Sequence, residues 1–315
     1  MKSDLDICFV IPPQNKGWIL DHIPHEIGIR HNGMAEYCYR YGNLPIANVY
    51  WLSHYSILPE VLDKNPHIRH SQCVVFFTHT SSNLEQFSGL FNLCKAIVAE
   101  NPFYAEELKK AGVKEEKIHW IPEASDPEMF KAHKRGNGSI LISGSYRRRK
   151  NFEQILEVIK LMPTHNFILV TQLLEKWEKV QEFRELPNVT IYEEMPYDKY
   201  PEIYEKCDVY LSCSLVEGGG PNSLIEAMHC DMVPVVSNVG NASEFIINGY
   251  NGFVFDHPMS SEKIVELVKQ AYEIKTNVSD TVSSYTWENY AEAMLEILLP
   301  EKYHNEKGLI TKYVD

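Results

Sequence analysis

The chain has 315 residues, of which 44% are hydrophobic, and this length is enough for two α/β domains. Its formal net charge of −13 argues against nucleic acid as a partner, because phosphate backbones require a basic surface, and it limits any membrane contact to weak, peripheral binding. An acidic N-terminal segment, with no apolar run of about 20 residues anywhere in the chain, predicts a cytoplasmic protein without a signal peptide or a membrane span.

Short apolar runs alternate with helical patterns in the first part of the chain, which predicts a parallel sheet covered by helices on both faces. The polar, glycine-containing segment 131–138 is typical of a linker, so we expect a first domain over residues 1–130. The predicted strands of this domain are 7–11, 47–52, 73–77, 96–99 and 117–121, and its predicted helices are 17–31, 81–91 and 102–111.

A second α/β series follows the linker and predicts a second domain over residues 131–289, with residues 290–315 rejoining the first domain. Its predicted strands are 140–143, 166–171, 188–192 and 208–213, and its predicted helices are 151–162, 197–206, 260–275 and 286–299.

A glycine-rich turn lies between the predicted strand 208–213 and a helix that begins near Pro221. Successive glycines leave the main chain uncovered, and the free N–H groups of a helix N-terminus attract phosphate. Glu217 precedes the glycines and Glu226 lies about one turn inside the helix, so both carboxylates can accept hydrogen bonds from sugar hydroxyls beside a diphosphate. Between these glutamates, the segment predicts a nucleotide-sugar site formed by Gly218, Gly219, Gly220, Asn222, Ser223 and Leu224.

A strand, a glycine turn and a helix that only pack together would have the same local pattern. The residues downstream favour nucleotide-sugar binding over simple packing. A strand with Pro234, a turn with Gly240 followed by Glu244, and a strand after Asn251 follow one another in this order. Residues 217–256 resemble the C-terminal domain of retaining glycosyltransferases of family 4, which have the GT-B fold. The resemblance implies an α/β protein with two Rossmann-like parallel-sheet domains facing a cleft and a C-terminal helix that crosses back to the first domain.

The resemblance also implies roles for individual residues. Glu217 would contact the donor sugar, and Glu226 the ribose. Lys150 would stabilise the departing nucleotide, and His79, after strand 73–77, would lie near the reacting centre. Departures from the family are also visible. Eight residues separate Glu217 from Glu226 where seven are usual, Ser145 stands where the family has an arginine, and Asn241 stands where a second turn glycine is usual.

The missing arginine has three candidate replacements in the same loop. Arg147, Arg148 and Arg149 precede Lys150, and the sequence does not choose among them. A run of basic residues that only decorates a solvated surface is the alternative interpretation. We assign Arg147 and Arg149 to the donor site as expectations.

The resemblance implies two further residues that contact the donor, although each could instead have only a structural role in packing. Gly17, after the first strand, would face the donor phosphates, and Met195 would contact the nucleobase. His54 is among the histidines that receive no assignment from the sequence.

The resemblance implies a retaining, metal-independent hexosyltransferase that uses a UDP- or GDP-linked sugar and no cofactor. Its acceptor would be a glycan, a glycolipid or another hydroxyl compound, in cell-surface polysaccharide, glycolipid or glycoconjugate biosynthesis. No dinucleotide or P-loop motif is present, and the lone Asp-x-Asp, at Asp4, precedes the first strand, so no metal site is predicted. The alternatives are a nucleotide-sugar 2-epimerase of the same fold and a non-catalytic protein that binds sugar nucleotides.

Overall fold

The computed structural model describes residues 3–79, 84–219 and 222–303. The chain divides into two compact units: residues 1–122 with 287–315 form the first, and residues 123–286 form the second. Within the described residues, each unit has one six-stranded sheet in which every pairing is parallel. The predicted α/β class with two Rossmann-like parallel-sheet domains is confirmed.

The sheet of the first unit has its most apolar strands at the centre. Four of its strands are buried at every residue, as expected for parallel strands covered on both faces, and these are the continuous apolar runs of the sequence. The strands are Ile7–Val10 (β1), Ala35–Cys38 (β2), Val49–Leu52 (β3), Cys73–Phe77 (β4), Ala96–Ala99 (β5) and Ile118–Trp120 (β6). Their order in the sheet is β2-β1-β3-β4-β5-β6. The helices before the second unit are Ile19–Ile29 (α1), Leu58–Lys64 (α2), Leu84–Phe91 (α3) and Pro102–Lys110 (α4).

The second unit repeats this architecture with its own apolar core. Its strands are Ser139–Ser143 (β7), Phe167–Thr171 (β8), Val189–Glu193 (β9), Cys207–Ser212 (β10), Val233–Ser237 (β11) and Phe253–Phe255 (β12), in the order β12-β11-β10-β7-β8-β9. Its helices are Phe152–Leu161 (α5), Val180–Arg184 (α6), Tyr200–Tyr204 (α7), Asn222–His229 (α8), Ala242–Phe245 (α9), Ser261–Ala271 (α10) and Val278–Thr281 (α11).

The last described helix, Trp287–Leu298 (α12), belongs to the first unit although it follows the second in the chain. The Trp287 ring packs edge-on against His22 of α1, with ring centroids 5.3 Å apart. Glu288 accepts a hydrogen bond from Arg30 at 2.5 Å. Among the described residues, none of the helices combines the length and apolar composition needed to cross a bilayer.

Short elements that were not predicted from the sequence include β2, α2, α6, α9 and α11, and the predicted helix 197–206 is shorter than expected. Strand β2 is only partly buried, so it lacks a clear apolar run, and α2 and α6 are only 7 and 5 residues long. The predicted helix 197–206 is a 3₁₀ turn, Tyr197–Lys199, followed by α7. Pro201 lies in the first turn of α7, where its missing N–H costs no hydrogen bond.

Candidate functional site

The order of strands in the second unit reverses between β7 and β10, which lie side by side. In open parallel sheets, ligands bind in the crevice outside the carboxyl ends of the strands at such a reversal. The loop after β7 carries Lys150, and the loop after β10 carries Glu217. The two residues that matter most to the predicted donor site therefore start from neighbouring strand ends.

Glu217 is buried, with 6% of its surface exposed, and it binds two cations from the loop after β7. Lys150 Nζ lies 2.5 Å from Glu217 Oε1, and the guanidinium of Arg149 contacts Oε2. The two loops are also joined through the main chain, because Leu215 N donates to Arg149 O at 2.7 Å. One carboxylate thus gathers Lys150 and Arg149 at the carboxyl edge of the sheet.

The charges in this cluster are strongly coupled. Burial raises the pKa of the Glu217 carboxyl, but Lys150 and Arg149 outweigh burial and hold that pKa below its usual value. Burial lowers the pKa of the Lys150 amine, and attraction to Glu217 opposes this shift. Glu217 is therefore ionised at neutral pH, so it is suited to accept hydrogen bonds and unsuited to donate a proton.

A second carboxylate, Glu123, lies against the glycine loop. A Cβ atom added to Gly219 would be 2.5 Å from Glu123 Oε1, and Glu123 also raises the pKa of Lys150 by electrostatic attraction. Asn241 N donates to Gly219 O at 2.6 Å and fixes the loop from its other side. Gly218 and Gly219 thus lie beside the cluster, whereas Gly220 and Pro221 fall outside the described residues. No sequence pattern pointed to Glu123.

Helix α8 begins at Asn222, immediately after this loop. The first N–H groups of a helix have no partner within the helix, so the amides of Asn222, Ser223 and Leu224 are the ones available to an anion. The Ser223 hydroxyl lies 2.7 Å from Tyr210 Oη and is buried. The Ser223 hydroxyl therefore stabilises the packing of α8 on the sheet and leaves its amide for the candidate site.

Glu226 is 4% exposed, and two tyrosines hold its carboxylate. Tyr197 Oη donates to Oε1 at 2.7 Å, and Tyr204 Oη donates to Oε2 at 3.0 Å. Burial raises the pKa of Glu226 to about 7, although both phenols act to lower it. Neither tyrosine was predicted from the sequence as part of the site. The signal was the spacing of Tyr197, Tyr200 and Tyr204, which recur at i, i+3 and i+7 and so face one side of a helical turn.

Two of the predicted donor residues lie apart from these contacts. Arg147 is exposed and donates to the carbonyl of Tyr146 at 3.0 Å. Met195 packs against the apolar core of the second unit. Of the three arginines, the structure brings Arg149 to Glu217, and Arg148 is exposed.

In the first unit, the predicted residues also follow strand ends. Gly17 has φ of +80°, a left-handed conformation that favours glycine, and its N–H donates to Asp21 at 2.7 Å. His79 follows β4, and its ring centroid lies 4.8 Å from that of His54. Both imidazoles line a cavity of about 430 Å³, together with Thr78 and other residues of this unit.

His54 is a further candidate in this unit, and the sequence predicted no role for it. Burial and the neighbouring His79 lower the pKa of His54 to about 4, and burial lowers the pKa of His79. Ser56 N donates to His54 Nδ1 at 3.1 Å, which fixes that imidazole in place. His54 follows β3 as His79 follows β4, so the same criterion of position after a strand would have found it.

Comparison with solved structures supports the fold described above. Anabaena Alr3699/HepE, solved in complex with UDP-glucose, superposes with a TM-score of 0.74 at 14% identity, over 93% of this chain and 99% of that one. A sucrose-phosphate synthase from Thermosynechococcus elongatus gives a TM-score of 0.76 at 12% identity, over 95% of this chain and 99% of that one. At such low identity, these likenesses show the GT-B fold.

Sequence comparison gives the family. The chain is 23% identical over 250 residues to the phosphatidylinositol N-acetylglucosaminyltransferase GPI3 subunit of Saccharomyces cerevisiae, which covers 70% of this chain. It spans 52%, or about half, of the length of that protein. The sequence profile of the family described as glycosyl transferases group 1 matches residues 125–294, more than half of the chain, and the chain therefore belongs to this glycosyltransferase family.

Proposed function

We propose that the protein transfers a sugar from a nucleotide-sugar donor to an acceptor hydroxyl, with retention of the anomeric configuration and without a metal ion. The observation that carries this proposal is the gathering of Lys150 and Arg149 on Glu217 at the strand reversal, next to the N-terminus of α8. Cations and free helix amides at one point attract a diphosphate. Membership of the glycosyltransferase family supports the same function.

The second unit would hold the donor in three parts. The diphosphate would lie between Lys150 and the first amides of α8, and the ribose hydroxyls would donate to Glu226. The transferred sugar would donate hydroxyl hydrogen bonds to Glu217, which stays ionised beside its two cations.

The chemistry requires little from side chains beyond electrostatics. The bond between the anomeric carbon and the diphosphate oxygen breaks, and its electron pair leaves with the nucleoside diphosphate. The acceptor oxygen bonds to the anomeric carbon on the same face, and its proton goes to an oxygen of the departing phosphate. Lys150 and the amides of α8 stabilise the charge that develops on the leaving group, in a buried site where such interactions are strong.

The names of similar proteins indicate which substrates to test first. The yeast relative is named for transfer of N-acetylglucosamine to phosphatidylinositol, and a Salmonella typhimurium relative, 29% identical over 106 residues, is a lipopolysaccharide 1,2-N-acetylglucosaminetransferase. We therefore propose a UDP-linked hexose or N-acetylhexosamine as donor and a glycolipid or polysaccharide hydroxyl as acceptor.

Calorimetry with UDP-glucose, UDP-N-acetylglucosamine and their GDP counterparts tests the proposal, followed by incubation of the tightest binder with glycolipid acceptors. We expect saturable binding, and release of the nucleoside diphosphate that increases when an acceptor is added. Conversion of the donor to its 2-epimer without an acceptor would identify the epimerase alternative instead. Binding without turnover across the acceptor panel would identify the non-catalytic alternative.

Turnover is expected to be insensitive to chelation. Lys150 and Arg149 pair with Glu217 at the proposed diphosphate site, so cations of the chain would stabilise the leaving charge there. The rate of nucleoside diphosphate release should therefore be equal with and without excess EDTA. A loss of activity in EDTA that manganese or magnesium restores would contradict metal-independent transfer.

A further inference from the structure

The carboxylate of Glu226 is held symmetrically. Each of its two oxygens accepts one phenol, Tyr197 on Oε1 and Tyr204 on Oε2. A carboxylate oxygen has two acceptor positions, so, among the residues that the structure describes, each oxygen retains one. Two remaining acceptor positions, one on each oxygen, match the two adjacent hydroxyls of a ribose.

The two tyrosines differ in what else they do. Tyr204 is fully buried, and its hydroxyl also bonds Ser143 Oγ at 2.9 Å, so it is part of the core beneath the sheet edge. Tyr197 is 44% exposed, and its ring contacts the buried Phe130 and the partly buried Tyr200. Removal of the Tyr197 hydroxyl therefore costs the contact with Glu226, whereas removal of the Tyr204 hydroxyl also costs the bond to Ser143 in the core.

We propose that Tyr197 is a positioning residue for ribose recognition: its hydroxyl orients Glu226 so that the free acceptor positions meet the ribose diol, and the site thereby selects ribonucleotides over 2′-deoxyribonucleotides. This inference rests on the proposed function, because it assumes that a nucleotide occupies the second unit. Beyond that function, it assigns to Tyr197 a part in the selection of the ribose 2′-hydroxyl.

The role of Glu226 can be tested by measuring ribose preference as a function of pH, because the tyrosines around it do not titrate near its own pKa. Among the described residues, the ionisable side chains whose pKa Glu226 raises include Tyr197, Tyr200, Tyr204, Tyr210 and Cys230. Burial also raises the pKa of each of them, so these five groups are neutral near pH 7. Glu226, with a pKa raised to about 7 by burial, is therefore the group that titrates there.

The direction of the pH effect follows from the hydrogen bonds. As the pH falls through about 7, Glu226 gains a proton and loses an acceptor position, so the preference for ribose weakens. The Tyr197 phenol stabilises the ionised carboxylate. Its removal raises the pKa of Glu226, so Tyr197→Phe should lose the preference at a higher pH than the wild type does.

The experiment measures the affinities for UDP and for 2′-deoxy-UDP by calorimetry, as a ratio, between pH 6 and pH 9. Both ligands carry the same diphosphate, so phosphate titration cancels in the ratio. We expect the wild type to prefer UDP by about tenfold at pH 8, the range for one hydrogen bond to a charged acceptor. Tyr197→Phe should lose most of this preference, keep the affinity for 2′-deoxy-UDP, and show a midpoint shifted to higher pH.

Tyr200→Phe is the matched control, since Tyr200 belongs to the same aromatic cluster and its variant should keep the preference and the midpoint. The inference would be overturned if Tyr197→Phe kept the full preference for UDP over 2′-deoxy-UDP with an unshifted pH midpoint. Equal affinity of the wild type for the two nucleotides would overturn it as well. In either case the donor site itself would stand. A wild type that binds neither UDP nor GDP would overturn the proposed function together with the inference.

Discussion

Replacement of Lys150 by alanine is expected to lower the turnover number by about 10²-fold or more, the range for a lost electrostatic stabiliser of a transition state. Lys150 Nζ, in the loop after β7, lies 2.5 Å from Glu217 Oε1, where the leaving diphosphate would gain charge. An interaction that strengthens as charge develops acts on the rate more than on ground-state binding. The donor affinity of Lys150→Ala should therefore change less than its turnover.

The neighbouring arginines are the controls for this prediction. Arg149 also contacts Glu217, but its side chain is 47% exposed, so solvent screens it and Arg149→Ala should have a smaller effect. Arg148→Ala should be nearly silent, because Arg148 is exposed. If Lys150→Ala kept full turnover and one of the arginine variants lost it, an arginine rather than Lys150 would stabilise the charge on the leaving group.

Replacement of Glu226 by alanine is expected to weaken nucleotide binding by about tenfold to a hundredfold, which corresponds to roughly 1.5–3 kcal/mol for a hydrogen bond to a charged group. The buried carboxylate would lose the acceptor positions proposed for the ribose, while Tyr204 would keep its bond to Ser143. Calorimetry with UDP and GDP measures the loss, and circular dichroism checks that the fold persists.

Glu202→Ala provides the control for Glu226→Ala. Glu202 is an exposed glutamate on α7 that pairs with Lys199 at the surface, so its loss should leave nucleotide affinity unchanged. Equal nucleotide affinity in Glu226→Ala and the wild type would remove Glu226 from the site and leave its tyrosine contacts as packing.

The sequence predicted the fold well where the physical signal is local. The central strands of both sheets are buried on both faces, so they appear as continuous apolar runs, and β7 and β10 were found in this way. Strand β2 was missed because its sequence, AEYC, is only partly buried and pairs with β1 across 28 residues of chain, from Ile7 to Ala35. Nothing within four residues encodes that pairing.

The sequence predicted several residues of the candidate site, which follow the ends of strands, but it did not predict which of their side chains contact each other. The glycine-rich turn pointed to Glu217 and the family resemblance to Lys150, yet their ion pair joins residues 67 positions apart and depends on the adjacency of β7 and β10. For the same reason, the sequence could not choose Arg149 over Arg147. Glu123 reaches Gly219 across 96 positions, beyond any local pattern.

A crystal structure of the protein soaked with UDP would test the central claim most directly, namely that the second unit holds a nucleotide-sugar donor. We predict that the diphosphate lies between Lys150 Nζ and the first amides of α8, with the ribose hydroxyls on Glu226. A well-ordered nucleotide bound elsewhere, or none at millimolar UDP in crystals with this surface open to solvent, would contradict the account.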